Sequence, residues 1–313
     1  MSLWAMDWKR AVRHLAVALF VGSVGAFGCG KSEPPKADKP ADADPRAAAA
    51  SGEGKEEATK KDVPAKPDPA PDDPLHQPFA RAVRLHPPID CQVPPSVTAS
   101  GKSVYKIFSS VKDQWEGIRF TTADGKPIHY SATVQTELGE IDIQLRPDLA
   151  PNHVRSFVAL ARAGYYDQLY FDRVNHEEYP DNPGRCLDFL EAGCPTGRGE
   201  DGYGSVGYWL YPETHPSTVV THEVGTVGAC RWTEPDSAAC KFYILLCEAP
   251  EQDTNQTIFG KVTRGLDVAR KIHRQPIAED DRGHYGCLHP ERPVMIRKIV
   301  IHSDEPTATE GKK

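Results

Sequence analysis

The sequence predicts a mainly β fold, a barrel of short strands accompanied by two helices. Three observations indicate it. Apolar residues alternate along a pair of segments after about residue 127, several short apolar runs follow them, and two segments have apolar residues at helical spacing. Alternation is typical of half-buried strands, and many short strands with few helices are typical of an all-β barrel.

The first two predicted strands form a hairpin that bends at Gly139. Every second residue on either side of the bend is expected to face inward. These residues are Ala132, Val134 and Thr136 before it and Ile141, Ile143 and Leu145 after it. The first helix is predicted from Pro151 to Gly164, because proline suits a first helical turn and glycine a helix end. Its inward stripe consists of Val154, Phe157, Val158 and Ala161.

The second helix is predicted directly after Gly265. Asp267 lies in its first turn and basic residues lie near its end, as the helix dipole favours. Short apolar runs predict further strands at 242–246, 257–262 and 294–302.

Residues 1–29 predict a signal peptide of the lipoprotein type. A basic head precedes an apolar core that is too short to cross a bilayer, and no run of 18 or more apolar residues occurs elsewhere. The core ends in Ala26-Phe27-Gly28-Cys29, which resembles the lipobox of bacterial lipoproteins, so Cys29 is expected to be lipidated. With Gly30 next, the expected location is the cell envelope, lipid-anchored and facing the periplasm, with the outer membrane favoured. An ordinary cleavable signal with a chance cysteine is the alternative.

Residues 30–75 are expected to form a disordered tether. Proline, alanine and charged residues dominate there, and such a segment buries too little apolar surface to offset its ordering entropy. A disordered tail is expected at 304–313. Residues 76–126 are interpreted as an extension packed on the barrel, with a helix over 103–115 and a strand over 118–122.

The charge balance argues against nucleic acid as a partner. The chain has 37 basic and 44 acidic residues, a net charge of −7, whereas a nucleic-acid surface requires a basic patch. A monomer is expected.

The eight cysteines are interpreted as a lipidation site and candidate disulfides, because an exported chain meets an oxidising compartment. Cys247 is expected to be a buried free thiol. Connectivity stays open, but sequence separation suggests three pairs: Cys186 with Cys194, Cys230 with Cys240, and Cys91 with Cys287. A zinc site is the disfavoured rival, since no CxxC pair occurs, and no metal is expected.

Two further patterns are interpreted as structural. Residues 197–202 fit G-x-G-x-x-G, but Glu200 and Asp201 would repel phosphate and no helix follows, so a turn is expected. Several histidines lack ligand spacing and are expected to be ordinary loop or surface side chains: His215, His222, His284 and His289.

Six segments, in order, together resemble the cyclophilin family of peptidyl-prolyl isomerases. They are TELGEIDIQLRPDLAPNHVRSFVALARAGYYDQLYFDRV, AGCPTGRG, HEVGTVGAC, KFYILL, TIFGKVTRGLDVARKI and RPVMIRKIVI. The resemblance covers residues 127–303. It implies a closed eight-stranded antiparallel barrel capped by two helices, an isomerase that needs no cofactor, and proline-containing polypeptides as partners.

The resemblance also assigns site residues. The catalytic arginine of the family falls on Arg173. Substrate-binding positions fall on Phe189, Glu191, Arg231, Lys241, Tyr243, Gln252 and Gln256. Most of these residues are more polar than their family counterparts. Glu191 and Lys241, for example, each replace a glutamine. About ten extra residues, Asn175 to Gly184, follow the arginine strand.

The chemistry of the family requires a cation and an apolar slot. Rotation about an amide bond crosses a barrier of about 18–20 kcal/mol, and a guanidinium aimed at the prolyl group favours the twisted state over the planar one. We therefore expect a prolyl isomerase acting on exported proteins, with activity reduced by the polar groove. A non-catalytic binding module on the same barrel is the alternative. A thiol redox protein is a third, disfavoured by the lack of a CxxC motif.

Overall fold

The computed structural model describes residues 75–179, 182, 184–200, 202–281 and 286–304, and only the backbone at 286 and 287. The predicted signal peptide with Cys29, nearly all of the tether and the tail beyond residue 304 lie outside the described residues. None of the helices in the described part of the chain has the length and apolarity that crossing a membrane requires.

Antiparallel strands dominate the fold. The strands are β1 (Val83–Arg84), β2 (Tyr130–Thr136), β3 (Gly139–Leu145), β4 (Tyr170–Glu178), β5 (Cys186–Ala192), β6 (Trp209–Leu210), β7 (Thr226–Ala229), β8 (Phe242–Leu245), β9 (Ile258–Arg264), β10 (Gly286–Leu288) and β11 (Val294–Ser303). The helices are α1 (Phe79–Ala82), α2 (Val104–Trp115), α3 (Pro151–Arg162) and α4 (Leu266–His273). Two 3₁₀ turns, Pro250–Gln252 and Glu279–Asp281, complete the set in the described residues.

Eight of the strands close into a barrel. Their order is β4, β11, β2, β3, β9, β7, β8 and β5, and β5 pairs back with β4. Strand β10 adds to the side of β4, while β1 and β6 form a separate two-stranded ribbon. The predicted closed, eight-stranded antiparallel barrel is therefore confirmed.

The barrel interior is filled by the alternating residues that the sequence indicated. Ala132 and Val134 of β2 and Ile141 and Ile143 of β3 are fully buried, and the two strands pair in the predicted register around the bend. Gly139 has a φ of +137°, and a Cβ there would lie 2.8 Å from a methyl carbon of Val268. The bend therefore requires glycine both for its backbone and for the close approach of α4.

The two predicted helices of the barrel domain are confirmed as α3 and α4. Gly265 lies directly before α4 and has a φ of +86°. A Cβ there would lie 2.1 Å from the main-chain oxygen of Glu140. Helix α3 begins with Pro151, as predicted. Unlike an ordinary surface helix, α3 is buried on nearly every side, because the N-terminal extension covers the face that points away from the barrel.

The extension is held to α3 by a fully buried arginine, Arg155. Its guanidinium donates to the main-chain oxygens of Ile118 and Leu75 at 3.1 and 3.3 Å and lies 4.8 Å from the ring centre of Phe120. The predicted helix over 103–115 is confirmed, but the predicted strand over 118–122 is wrong. That segment forms a single bridge, from Thr121 to Pro127, and a tight turn follows it, in which the amide of Gly125 donates to the main-chain oxygen of Thr122 at 2.9 Å.

The predicted disulfides are wrong for the six cysteines whose side chains are described, since all six are free thiols: Cys91, Cys186, Cys194, Cys230, Cys240 and Cys247. Cys186 begins β5 and Cys194 follows its end, so about 20 Å of extended strand separates them. A disulfide spans at most about 7 Å between Cα atoms. The side chain of Cys287 lies outside the described residues.

Strand register separates the second predicted pair. The amide of Cys230 donates to the main-chain oxygen of Lys241, so Cys230 lies opposite Lys241 rather than opposite Cys240. Because successive side chains on a strand point to opposite faces, Cys230 and Cys240 lie on different faces. The Cys240 thiol is buried inward, where the hydroxyl of Tyr165 donates to it at 3.0 Å. Cys247, expected to be buried, is free but only half-buried.

Candidate active site

Strands β4, β5 and β8 place three of the predicted site residues on one outer face of the barrel. Arg173 lies opposite Glu191, and Glu191 lies opposite Tyr243. Their neighbours Val174, Leu190 and Ile244 alternate into the barrel core. Because directly opposed residues share a face, three residues from distant parts of the chain meet on the outside of the barrel.

Arg173, Glu191 and Lys241 form a buried ion cluster, which we call the charged cluster. Nζ of Lys241 lies 2.7 Å from Oε2 of Glu191, and Nη1 of Arg173 lies 3.8 Å from the same oxygen. The three residues are only 8%, 8% and 7% exposed. Burial alone would raise the pKa of Glu191, but the charges of Lys241 and Arg173 outweigh it and lower that pKa. The carboxylate is therefore ionised, and the three side chains carry a net positive charge.

A second carboxyl group lies next to the charged cluster. Asp172 is 1% exposed, and its Oδ2 accepts a hydrogen bond from the amide of Gly199 at 3.1 Å. Burial raises the pKa of Asp172 to about 7, against the opposing effect of the Lys241 charge. Asp172 therefore changes charge near neutral pH, directly beside Arg173 in the sequence.

Gly199, within the predicted turn, packs against the stem of Arg173. A Cβ at Gly199 would lie 2.2 Å from Cγ of Arg173, and Gly199 has a φ of +62°. Only glycine therefore allows the turn to approach the arginine this closely. The sequence indicated a turn here, and the structure adds its role of holding the arginine stem against the strand.

Apolar side chains lie beside the charged cluster on the same face. The ring centres of Phe189 and Tyr243 are 5.9 Å apart. This aromatic cluster, as we call it, consists of Leu187, Phe189, Tyr243, Leu245 and Ala249. The face thus offers a guanidinium next to a small apolar surface, the two components that the family chemistry requires.

Tyr243 is fixed by a buried histidine that the sequence analysis interpreted wrongly. His222 was expected to be an ordinary loop or surface residue, yet its side chain is 1% exposed. Burial lowers the pKa of His222, so its ring is neutral. Its Nδ1 lies 2.8 Å from Oδ1 of Asp253 and its Nε2 lies 2.9 Å from the hydroxyl of Tyr243. A neutral imidazole has one donor and one acceptor, so Nδ1 donates to Asp253 and Nε2 accepts from Tyr243.

A small pocket of about 30 Å³ opens beside the charged cluster. Glu191, Arg231 and Lys241 line it. Its other walls include Cys91 of the extension and Tyr203. The amide of residue 92 donates to the main-chain oxygen of residue 202 at 3.0 Å, which binds the extension to the turn. The extension therefore narrows the groove, a feature that no motif in residues 76–126 indicated.

The remaining predicted substrate-binding residues border this region less directly. The guanidinium of Arg231 donates to the main-chain oxygens of Asn255 and Trp232, at 3.0 and 3.1 Å, so its donors are already engaged within the chain. Gln252 ends the 3₁₀ turn and Gln256 follows it; both are half-buried. This loop touches the site through Arg231 and His222, and no described contact joins either glutamine to Arg173.

Comparisons with known proteins find similar sequences and structures. Residues 131–300 match the sequence model of the family described as cyclophilin type peptidyl-prolyl cis-trans isomerase/CLD. Peptidyl-prolyl cis-trans isomerase-like 1 of Neurospora crassa is 31% identical over 173 residues, 55% of this chain and 94% of that protein. Peptidyl-prolyl cis-trans isomerase ppi1 of Schizosaccharomyces pombe is 31% identical over 168 residues, 53% of this chain and 96% of that protein.

Two further similarities cover the same part of the chain. Peptidyl-prolyl cis-trans isomerase-like 2 of Rhizopus delemar is 31% identical over 173 residues, which are 55% of this chain but 29% of that protein. A crystal structure of a cyclophilin type isomerase from Cryptosporidium parvum is 22% identical, covers 56% of this chain and 99% of its own, and has a TM-score of 0.45. Since the family model spans more than half of the sequence, the chain belongs to the cyclophilin-type peptidyl-prolyl cis-trans isomerase family.

Proposed function

We propose that this protein isomerises Xaa-Pro bonds with Arg173 as its catalytic residue. The observation that carries the proposal is that Arg173 lies on one outer face of the barrel with the aromatic pair Phe189 and Tyr243. The Glu191 carboxylate lies 2.7 Å from Lys241 and 3.8 Å from Arg173, so two cations share it. The Arg173 guanidinium is always charged, and the charged cluster holds it in place.

The chemistry needs a cation of this kind. As the prolyl amide twists, its nitrogen loses conjugation and becomes a hydrogen-bond acceptor. A buried guanidinium stabilises that state more than the planar one, because electrostatic interactions strengthen where water is excluded. Arginine suits the role, since its donors lie in a fixed plane and it is always charged.

The aromatic cluster supplies the surface for the proline ring. Phe189 and Tyr243 lie on neighbouring strands beside Glu191, within reach of a ring held near Arg173. The groove has fewer apolar walls than the family norm, and each lost wall weakens proline binding by about 1 kcal/mol or more. We infer an activity below that of apolar cyclophilin grooves.

The test is cis-trans exchange of a short Xaa-Pro peptide, measured by NMR exchange spectroscopy. Arg173→Ala is expected to slow the catalysed exchange about 100-fold, the usual effect of removing a transition-state donor. Arg264→Ala, which removes an exposed arginine of β9, serves as the matched control and is expected to leave the rate unchanged. Circular dichroism verifies that both variants fold. Equal exchange rates for wild type and Arg173→Ala would exclude this role.

The clients that we propose are exported proteins folding in the periplasm. The support is the pattern of residues 1–29, which would place a lipid anchor on Cys29 and the isomerase, as a monomer, at the outer membrane. Palmitate labelling and membrane fractionation of the full chain test this location. Cys29→Ala is expected to abolish labelling and release the protein, while unlabelled wild type in a soluble fraction would contradict it.

A non-catalytic binding module is the second candidate function. The charged lining of the pocket, together with Cys91 of the extension at its wall, favours it. Peptide titration monitored by NMR distinguishes the two. Shift changes at Tyr243 without any acceleration of exchange would support binding alone, whereas exchange that depends on Arg173 would support catalysis.

A further inference from the structure

A second cluster of polar side chains lies at the end of the β4–β5 hairpin, apart from the charged cluster. Nδ1 of His176 lies 2.7 Å from Oδ1 of Asp188, and Nε2 of His273 lies 3.9 Å from the same oxygen. Each of the three residues offers a ligand atom, and these atoms all lie within 4.8 Å of one another. Two imidazoles and a carboxylate are a typical ligand set for zinc and related ions.

The fold brings these residues together from three elements. His176 of β4 and Asp188 of β5 are directly opposed in the antiparallel ladder. His273 is the last residue of α4, which packs against β5. No metal was expected from the sequence, because it has no CxxC pair and no nearby histidine spacing. The three positions found here are too far apart in the chain to form such a motif.

A cysteine lies on the other side of the His176 ring. The thiol of Cys186, at the start of β5, lies 3.9 Å from Nε2 of His176, whereas Asp188 lies against Nδ1, so one ion cannot use both contacts. In a tetrahedral zinc site, ligands at about 2.0–2.3 Å from the ion lie about 3.3–3.8 Å from one another. The 3.9 Å His273–Asp188 separation is therefore close to what one ion requires, and the 2.7 Å His176–Asp188 contact would open by about half an ångström.

The site is also accessible. The His176 side chain is 56% exposed and that of Asp188 29%, whereas His273 is largely buried at 14%. An ion can therefore enter from solvent while the buried histidine fixes its position. Nε2 of His273 now lies 2.8 Å from the main-chain oxygen of Asn175, and metal binding through Nε2 would replace that hydrogen bond.

We propose that His176, Asp188 and His273 bind one divalent transition-metal ion of the zinc class, with water as the fourth ligand. The ion ties α4 to the β4–β5 hairpin, the same hairpin that carries Arg173 and Glu191. Binding to the folded state alone stabilises it by mass action.

The experiment is calorimetric titration of the reduced, metal-free full chain with zinc chloride, together with thermal unfolding at each zinc concentration. One equivalent is expected to bind with micromolar or tighter affinity and to raise the unfolding temperature. His273→Ala is expected to weaken binding at least tenfold and remove the thermal shift. The matched control is His129→Ala, which breaks a His129–Asp304 pair of similar length, 2.8 Å, that belongs to no group of three in the described chain.

Cobalt substitution tests the ligand set. Binding of Co²⁺ is expected to give intense tetrahedral visible bands without a thiolate charge-transfer band, and Cys186→Ser is expected to leave the spectrum unchanged; a thiolate band that Cys186→Ser removes would overturn this ligand set. Zinc affinity that is equal in wild type and in His273→Ala would overturn the proposal, since the ion would then be held elsewhere. No measurable zinc binding at protein concentrations of tens of micromolar would overturn it as well.

Discussion

The charged cluster and the aromatic cluster meet beside strands β5 and β8, yet they are stabilised in different ways. In the aromatic cluster each side chain contributes through its own buried apolar area, and contacts such as Phe189 with Tyr243 add to it. In the charged cluster no member is stable alone. Glu191 makes the burial of two cations tolerable, and those cations keep Glu191 ionised.

The difference shows how the two clusters depend on their surroundings. A proline ring needs only apolar contact, which any similar side chain supplies. The burial of the Arg173 charge, in contrast, depends on the Glu191 carboxylate, which it shares with Lys241. Position on the strand comes from alternation, but electrostatic function comes from partners on neighbouring strands.

The largest effect is expected from removing Glu191. Glu191→Ala removes the carboxylate that lies between the buried cations Arg173 and Lys241, and breaking a buried pair in this way costs about 3–5 kcal/mol. Urea denaturation measures the loss in the free energy of unfolding. The matched double variant Glu191→Gln, Lys241→Gln restores the family pattern and is expected to lose much less. Equal losses in the single and double variants would show that the charges are not coupled.

A smaller effect is expected in the aromatic cluster from Tyr243→Phe. The change keeps the ring but removes the hydroxyl that donates to His222, which leaves the buried Nε2 without its partner. Such a loss costs about 1–3 kcal/mol. Chemical denaturation measures it, and the isomerase rate is expected to fall little, since the apolar ring remains. A loss above 3 kcal/mol would mean that Tyr243 supports the fold through more than this bond.

A pH effect on stability is expected from Asp172, which lies next to the charged cluster. Its pKa is about 7 in the folded protein and 3.8 ordinarily. The protonated carboxyl therefore stabilises the fold fully below pH 4, and this contribution is lost as the pH rises through about 7. We expect Asp172→Asn, which cannot ionise, to remove that decline. Urea denaturation at several pH values between 4 and 8 measures the difference, and parallel curves for both proteins would contradict it.

The smallest effect is expected from an exposed ion pair. Arg264 lies 2.6 Å from Asp142, closer than Arg173 lies to Glu191, but its side chain is 62% exposed. Surface pairs contribute little because water screens them. Arg264→Gln is therefore expected to change the free energy of unfolding by no more than the error of denaturation experiments. A loss comparable to that of Glu191→Ala would refute the role that we give to burial.

Much of the fold could be predicted because its signals are local. Alternation fixed the β2–β3 hairpin, and proline and glycine marked the ends of α3 and the start of α4. The resemblance supplied the closure of the barrel and placed Arg173, Glu191 and Tyr243 on one face. The prediction of a strand over 118–122 was wrong because buried apolar residues do not by themselves make a strand. Ile118 and Phe120 are buried, but the segment pairs only through the bridge from Thr121 to Pro127.

The disulfide pairs failed for a related reason. Cys186 and Cys194 are close in sequence, but an extended strand keeps them apart. Cys230 and Cys240 lie on different faces, since register and not loop length decides which side chains meet. The prediction of His222 as an ordinary loop or surface residue was wrong because its partners, Asp253 and Tyr243, come from other segments of the chain. No sequence motif indicates such a contact.

The sequence by itself determined the apolar alternation of the strands, the helix ends and the match of Arg173 to the family arginine, because these depend on neighbours along the chain. Only the tertiary structure decided that Lys241 would share Glu191 with Arg173, that the extension would wall the groove, and that His273 would reach His176. Burial and Coulombic interaction depend on distances through space, and closing a barrel sets those distances between residues that the chain keeps far apart.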